Sequence, residues 1–234
     1  MRTLTIIPTY NEKENIEPIV RRVLETDSSV EVLVVDDNSP DGTGEIVDRM
    51  IESESRIHVL HRSGKQGLGK AYIAGFKKAI EMGVDRVIQM DADFSHNPSY
   101  LPDMLKASDS YDVVIGSRYM NGNISVVNWP LSRLILSYFA NIYARWVTGL
   151  PVFDVTGGFK VIRTDVLRNI NLDKISSNGY AFQIEINYIF NKKGFSITEI
   201  PIIFTDREGG VSKMSRRIML EAVFKIWLYR FRKY

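Results

Sequence analysis

An open α/β fold with a mostly parallel sheet is predicted for this chain of 234 residues. Three observations predict it. Short β-branched runs alternate with segments of helical spacing through the first half. The runs are almost continuously apolar, as strands covered on both faces require. Each run stops at a polar, turn-forming cluster, and doubly wound sheets bind ligands beyond the carboxyl ends of their strands.

Residues 3–8 (TLTIIP) read as the first strand, and the next segment spaces Ile16, Ile19, Val20, Val23 and Leu24 as one helical face. Residues 30–35 (VEVLVV) form the second strand, followed by the turn cluster DDNSPDGT and a helix over GEIVDRMIES. RIHVL is a short third strand. The loop HRSGKQGLG leads to a helix that closes on Gly83. Residues 86–90 make the fourth strand, which ends in MDADFSH. NPSYLPDMLKAS reads as a helix with Pro98 near its start, and residues 112–115 (DVVI) as the fifth strand. This βα alternation defines the parallel sheet.

After Asn121 the pattern loosens. A helix over 131–149, a loop PVFDVTGGFKVIR, a helix GYAFQIEINYIFNKKG and a strand pair FSITEIPIIF are expected. The polar DREGGVSK and a basic, aromatic final helix follow. No linker-like stretch separates the halves, so 1–234 reads as one domain, divided at 120/121.

Charged residues make up 25% and hydrophobic ones 44%, which places the chain among ordinary globular proteins. Without cysteine, disulfide and thiolate chemistry are excluded, and a reducing cytosol fits. The apolar part of the N-terminus is too short for a signal peptide. Net charge is +2, but residues 213–234 carry seven basic side chains and one acid, leaving −4 elsewhere. A basic tail suits a polyanionic partner or an anionic membrane surface. Residues 131–150 contain Arg133, Asn141 and Arg145, so they read as a core or interfacial helix and not as a membrane span.

The strand tips gather polar chemistry. DDNSPDG (36–42) is either a tight turn or a site whose acid accepts from a base edge or a ribose hydroxyl. In MDADFSH, extended D-x-D spacing sets Asp91 and Asp93 on one side of the chain. Two adjacent carboxylates repel unless a cation lies between them, and hard oxygen ligands suit magnesium or manganese. Arg118, at the end of the fifth strand, is placed to hold a phosphate bidentately. In FTDREGGVSK, Arg207 and Lys213 flank Gly209 and Gly210, a pattern suited to a loop closing over an anion.

Other chemistries are absent. HRSGKQGLGK lacks P-loop spacing, His58, His61 and His96 lack metal-ligand spacing, and no G-x-S-x-G elbow occurs. The tail SRRIMLEAVFKIWLYRFRKY suits either a core helix with snorkelling cations or a helix lying on a membrane.

Together, IIPTYNEKEN, VVDDNSPDGT, GLGKAYIAGF, MDADFSHNP, GSRY, NWPLSR, TGGFKVIR, GYAFQIE and IPIIFTDREGGVSK follow the order of a known family. The chain resembles, over nearly its whole length, the dolichyl- or polyprenyl-phosphate mannosyltransferases of glycosyltransferase family two. The match is to members without membrane spans. The resemblance implies a GT-A fold and a metal-dependent enzyme that passes mannose from GDP-mannose to a dolichyl or polyprenyl phosphate. It implies that Pro8, Tyr10, Glu12, Val35 and Asp37 hold guanosine. Asp91, Ala92 and Asp93 would lie at the diphosphate, with both aspartates on the metal. Arg118, Arg133 and Ser137 would take the acceptor phosphate, and Arg207 and Lys213 would close over the diphosphate. Ser95 stands where some members carry a glutamine ligand.

An acceptor phosphate is already anionic at neutral pH, so it needs no strong base, and Asp93 and Arg118 are the residues expected to act on the reacting groups. Inversion at the sugar is expected. The implied setting is cytoplasmic, peripheral at the cytosolic membrane face, with a separate membrane subunit as a further partner and no nucleic acid. A UDP-glucose donor and a non-catalytic nucleotide-binding scaffold are the alternatives.

Overall fold

The computed structural model describes residues 1–120, 123–205 and 226–229. β1 (Thr3–Thr9), α1 (Ile16–Thr26), β2 (Val30–Asp36), α2 (Thr43–Ile51) and β3 (Ile57–His61) open the chain. α1 buries Ile16, Ile19, Val20, Val23 and Leu24, the face set by its apolar spacing. α3 (Leu68–Met82) ends at Gly83, whose φ of 67° is the left-handed cap that glycine adopts without strain. β4 (Arg86–Gln89) follows, then a 3-10 turn (Pro98–Tyr100) and α4 (Leu101–Ala107).

β5 (Val113–Ser117), β6 (Tyr119–Met120), β7 (Asn123–Ile124) and β8 (Val126–Val127) lead to α5 (Leu131–Thr148). β9 (Lys160–Arg163), α6 (Thr164–Arg168), a second 3-10 turn (Leu172–Lys174), α7 (Gly179–Lys192), β10 (Ile197–Pro201) and β11 (Phe204–Thr205) complete the described elements. Residues 226–229 are helical. The rest of the tail, with DREGGVSK and most of the final helix, lies outside the described residues.

The main sheet has seven strands in the order β10-β5-β9-β4-β1-β2-β3. All pairings are parallel except those of β9, which runs antiparallel between β4 and β5. Strand alternation sends side chains into two cores. Leu4, Ile6, Leu33 and Val35 pack with Tyr72, Phe76 and Phe182 of α3 and α7. Ile7, Val32 and Val34 pack with Ile16, Val20, Val47 and Leu101 on the other face. The predicted mostly parallel, doubly covered sheet is therefore present. Gly75 lets α3 approach β1 closely, since a Cβ there would lie 2.6 Å from Ile6 Cγ2.

Two expectations are corrected. KVIR is not part of a loop. It is a sheet strand, because Val161 and Ile162 are wholly buried between β4 and β5. Nor do the two strands in FSITEIPIIF pair with each other. β10 joins the main sheet on β5, and β11 pairs with β8 in a separate two-stranded sheet.

Candidate active site

The carboxyl ends of β1, β2, β4 and β5 point to one edge of the sheet, and the polar loops converge there. After β2 the two adjacent acids part. Asp36 turns inward, accepting from Thr9 Oγ1 at 2.9 Å and from Ser39 N and Oγ at 3.0 and 2.5 Å. It builds the turn. Asp37 pairs with Arg62, and Gln66 N–H reaches its other oxygen at 3.3 Å. Nearby, Lys65 lies 4.0 Å over the ring of Tyr10, and Glu12 N–H donates to Thr43 Oγ1 at 3.0 Å. Pro8 is partly buried beside the buried Val35.

Asp91 and Asp93 follow β4, separated by the buried Ala92. The turn is tight enough to force Phe94 to a φ of 60°, an unusual conformation for a bulky residue. Each acid is held by hydroxyl donors. Tyr72 OH donates to Asp91 Oδ1 at 2.9 Å. Ser95 donates to Asp93 Oδ1 through Oγ at 2.6 Å and N at 3.2 Å. Ser95, expected where some relatives carry a ligand, thus acts on a carboxylate. His96 Nδ1 accepts the Asp91 N–H at 3.0 Å, which puts the proton of the neutral ring on Nε2. Burial lowers the His96 pKa against the raising pull of Asp91 and Asp93, and the ring stacks on Phe159.

These oxygens suit a hard divalent cation. Among the described residues no group of three or more His, Asp or Glu could hold a metal, so the pair would leave most of the coordination sphere to ligand oxygens and water.

At the end of β5, Arg118 is buried and bound to Asp154. Nε and Nη2 meet its two oxygens at 2.7 and 2.8 Å, and Nη2 also reaches Thr156 Oγ1 at 2.7 Å. Burial opposes the charge on Arg118, but Asp154 more than compensates and raises its pKa. The Asp154 loop hangs from Glu199, which accepts the N–H groups of Phe153 and Asp154 at 2.6 and 2.8 Å. Beneath it, Lys160 opens β9 with no exposed surface, bonded to Gly157 O at 2.7 Å and to Gln183. Burial pushes the Lys160 pKa down to about 7, although Asp154 and Asp91 favour its charge. Gln183 also accepts from Gln89 at 2.8 Å.

Spacing did not single out Asp154, Lys160 or Gln183 as site residues. TGGFKVIR and GYAFQIE were recognisable as motifs, but only the returning strand reveals which side chains they bring to the edge.

Arg133 and Ser137 lie on α5. Arg133 packs 4.2 Å over Trp129, whose ring also lies 5.8 Å from the Arg118 guanidinium. Ser137 Oγ accepts from Tyr119 OH at 2.9 Å. The structure thus brings Arg118 and Arg133 to one indole and sets Asp91 and Asp93 at the neighbouring strand tip. Arg207 and Lys213 lie outside the described residues. The outer side of α5 carries Leu131, Ile135, Phe139, Ile142 and Trp146, which are 43–73% exposed. Among the described residues, no helix is long and apolar enough to cross a membrane.

The acid pair stands at a central strand tip of an open α/β sheet, and residues 5–170 match Glycosyl transferase family 2. The chain belongs to that family. Within it, 227 residues are 48% identical to a polyprenol monophosphomannose synthase of Mycolicibacterium smegmatis, covering 96% of this chain and 85% of that protein. An undecaprenyl-phosphate mannosyltransferase of Micrococcus luteus is 47% identical over 97% of this chain and 93% of its own. A glucosyl-3-phosphoglycerate synthase of Mycobacterium tuberculosis superposes with a TM-score of 0.73 at 17% identity, covering 100% of this chain and 81% of that one. The same enzyme with Mn2+, UDP-glucose and phosphoglyceric acid superposes at 0.72 and 17%, over 98% and 79%. The fold is GT-A.

Proposed function

We propose that the protein transfers mannose from GDP-mannose to a polyprenyl or dolichyl phosphate, with inversion, releasing GDP. The observation that carries the reading is the 48% identity, over nearly the whole chain, to a protein named polyprenol monophosphomannose synthase. Residues 1–120 form the nucleotide half, and 121–234 the acceptor half, of one GT-A domain.

In this reading Pro8, Tyr10, Glu12, Val35 and Asp37 bind the nucleoside, and Asp91, Ala92 and Asp93 line the diphosphate. A magnesium or manganese ion on Asp91 and Asp93 would supply positive charge to the leaving diphosphate. Arg207 and Lys213 add further charge over it. Arg118, Arg133 and Ser137 hold the acceptor phosphate behind the anomeric carbon, against its repulsion from the donor. The attacking oxygen is already ionised, so the site needs alignment more than a base. Asp154 keeps the Arg118 guanidinium fixed for this purpose. The apolar stripe of α5 faces the lipid surface, which would place the protein at the cytosolic face of a membrane, with or without a membrane subunit.

The test is a donor-by-acceptor assay: GDP-mannose and UDP-glucose, each with a detergent-solubilised polyprenyl phosphate. Turnover with GDP-mannose and a β-linked product by NMR are expected. Preference for UDP-glucose, an α linkage, or donor binding without turnover would each overturn part of the assignment.

A further inference from the structure

The helix that follows the glycine-rich loop contributes one group to the acid pair. Tyr72 sits in the first turns of α3 and has no exposed surface. Its ring is fixed by Phe182, at 5.9 Å and an interplanar angle of 4°, and by Phe76 at 6.1 Å. A buried phenol needs a hydrogen-bond partner. Here the partner is Asp91 Oδ1, at 2.9 Å.

The choice of donor matters. A lysine or arginine at that oxygen would cancel the charge of the carboxylate. A phenol orients it and leaves the charge in place. Tyr72 occupies one lone pair of Oδ1 from its buried position, and among the described residues no hydrogen bond engages Oδ2. Among the described residues, no cation forms an ion pair with Asp91.

Cations differ in what they ask of a carboxylate. Calcium takes six to eight oxygens, often with both oxygens of one carboxylate, whereas magnesium demands an octahedron of about 2.1 Å and takes single oxygens. We propose that Tyr72 makes Asp91 a one-oxygen ligand and so selects a small octahedral cation, magnesium or manganese, over calcium. Tyr72 is a positioning residue in this scheme, since it acts through Asp91. The inference rests on the reading of Asp91 and Asp93 as metal ligands.

The test uses the full chain and metal alone, independent of any sugar donor. Mn2+ binding is followed by electron paramagnetic resonance, with Ca2+ as competitor, in wild type, Tyr72→Phe and Asp91→Asn. Phenylalanine keeps the stacked ring, and circular dichroism with a melting curve checks the fold. Tyr72→Phe is expected to weaken Mn2+ binding by roughly tenfold, as loss of an outer-sphere partner does. It should also narrow the preference for Mn2+ over Ca2+. Asp91→Asn should abolish binding, and Tyr72→Phe added to it should change nothing further. A Tyr72→Phe protein that loses affinity for both ions equally would assign Tyr72 a packing role and overturn the proposal. So would an unchanged preference. Wild-type Mn2+ binding by Asp91→Asn would remove the metal reading itself, and this proposal with it.

Discussion

Asp154 grips Arg118 by two parallel bonds, 2.7 Å to Nε and 2.8 Å to Nη2, with Asp154 wholly buried and the Arg118 side chain 6% exposed. Removing one partner of such a pair leaves an uncompensated buried charge. Asp154→Asn is therefore expected to destabilise the protein by about 3–5 kcal/mol, measured by urea unfolding. Burial alone would raise the Asp154 pKa, but Arg118 outweighs it and holds the carboxyl below the ordinary carboxylate range. Its contribution is thus present above the unfolded pKa and lost as pH falls through the folded one. The acid limb of the stability curve should be flatter in Asp154→Asn.

Lys160 is shifted in the same direction, in a more alkaline window. Its pKa falls from 10.5 to about 7, chiefly by burial. Between those values the unfolded chain binds a proton that the folded one does not, so stability rises with pH there. Wild type should gain on Lys160→Met from pH 7 toward 10, at no more than about 1.4 kcal/mol per pH unit. A pH-independent difference in unfolding free energy would mean that Lys160 holds its proton throughout.

Trp129 offers its ring to Arg133 at 4.2 Å and to Arg118 at 5.8 Å. Cation–π contacts contribute about 0.5–2 kcal/mol. Trp129→Leu should raise KM for the lipid phosphate by roughly 3–30-fold and leave the KM for the sugar donor unchanged. Equal rises in both constants would show that the indole serves the fold and not the acceptor.

Phe139 and Trp146 are 61% and 73% exposed on one side of α5. Burying such side chains in lipid is worth about 1.5–3 kcal/mol each. Replacing both by serine should weaken binding to lipid vesicles at least tenfold in co-sedimentation, without changing the circular dichroism spectrum. Unaltered binding would move the membrane contact elsewhere.

The first half of the fold was legible because its signals are local. The spacing of Ile16, Ile19, Val20, Val23 and Leu24 fixes a helix face, and Gly83 ends the next helix but one. The acid pair was legible for the same reason, since Asp91 and Asp93 follow a strand directly. β9 was not. KVIR is four residues long, begins and ends with a cation, and finds its partners β4 and β5 far earlier in the chain. Arg118 carried a related ambiguity. Read alone it is a free cation awaiting an anion, and its carboxylate stands 36 positions later, in a stretch with no periodicity. Lys160 gave no sign of burial, because a lysine after Gly-Gly-Phe looks like a loop residue until the strand closes around it.

β5 and β9 lie side by side, with Ile115 opposite Lys160, so residues 118–159 leave the sheet and return to it at neighbouring strands. The excursion has both its ends clamped by the same ladder. Flexible stretches between such fixed ends lengthen at little cost, about 0.6 kcal/mol for each doubling, while Ala144, Val147, Leu150 and Val155 stay anchored in the core. The segment carrying Trp129, Arg133 and Ser137 can therefore be rebuilt as an exchangeable cassette, while the strands that present Asp37, Asp91 and Asp93 keep their register. Swapping 118–159 between relatives should transplant the preference for acceptor and leave the preference for donor behind.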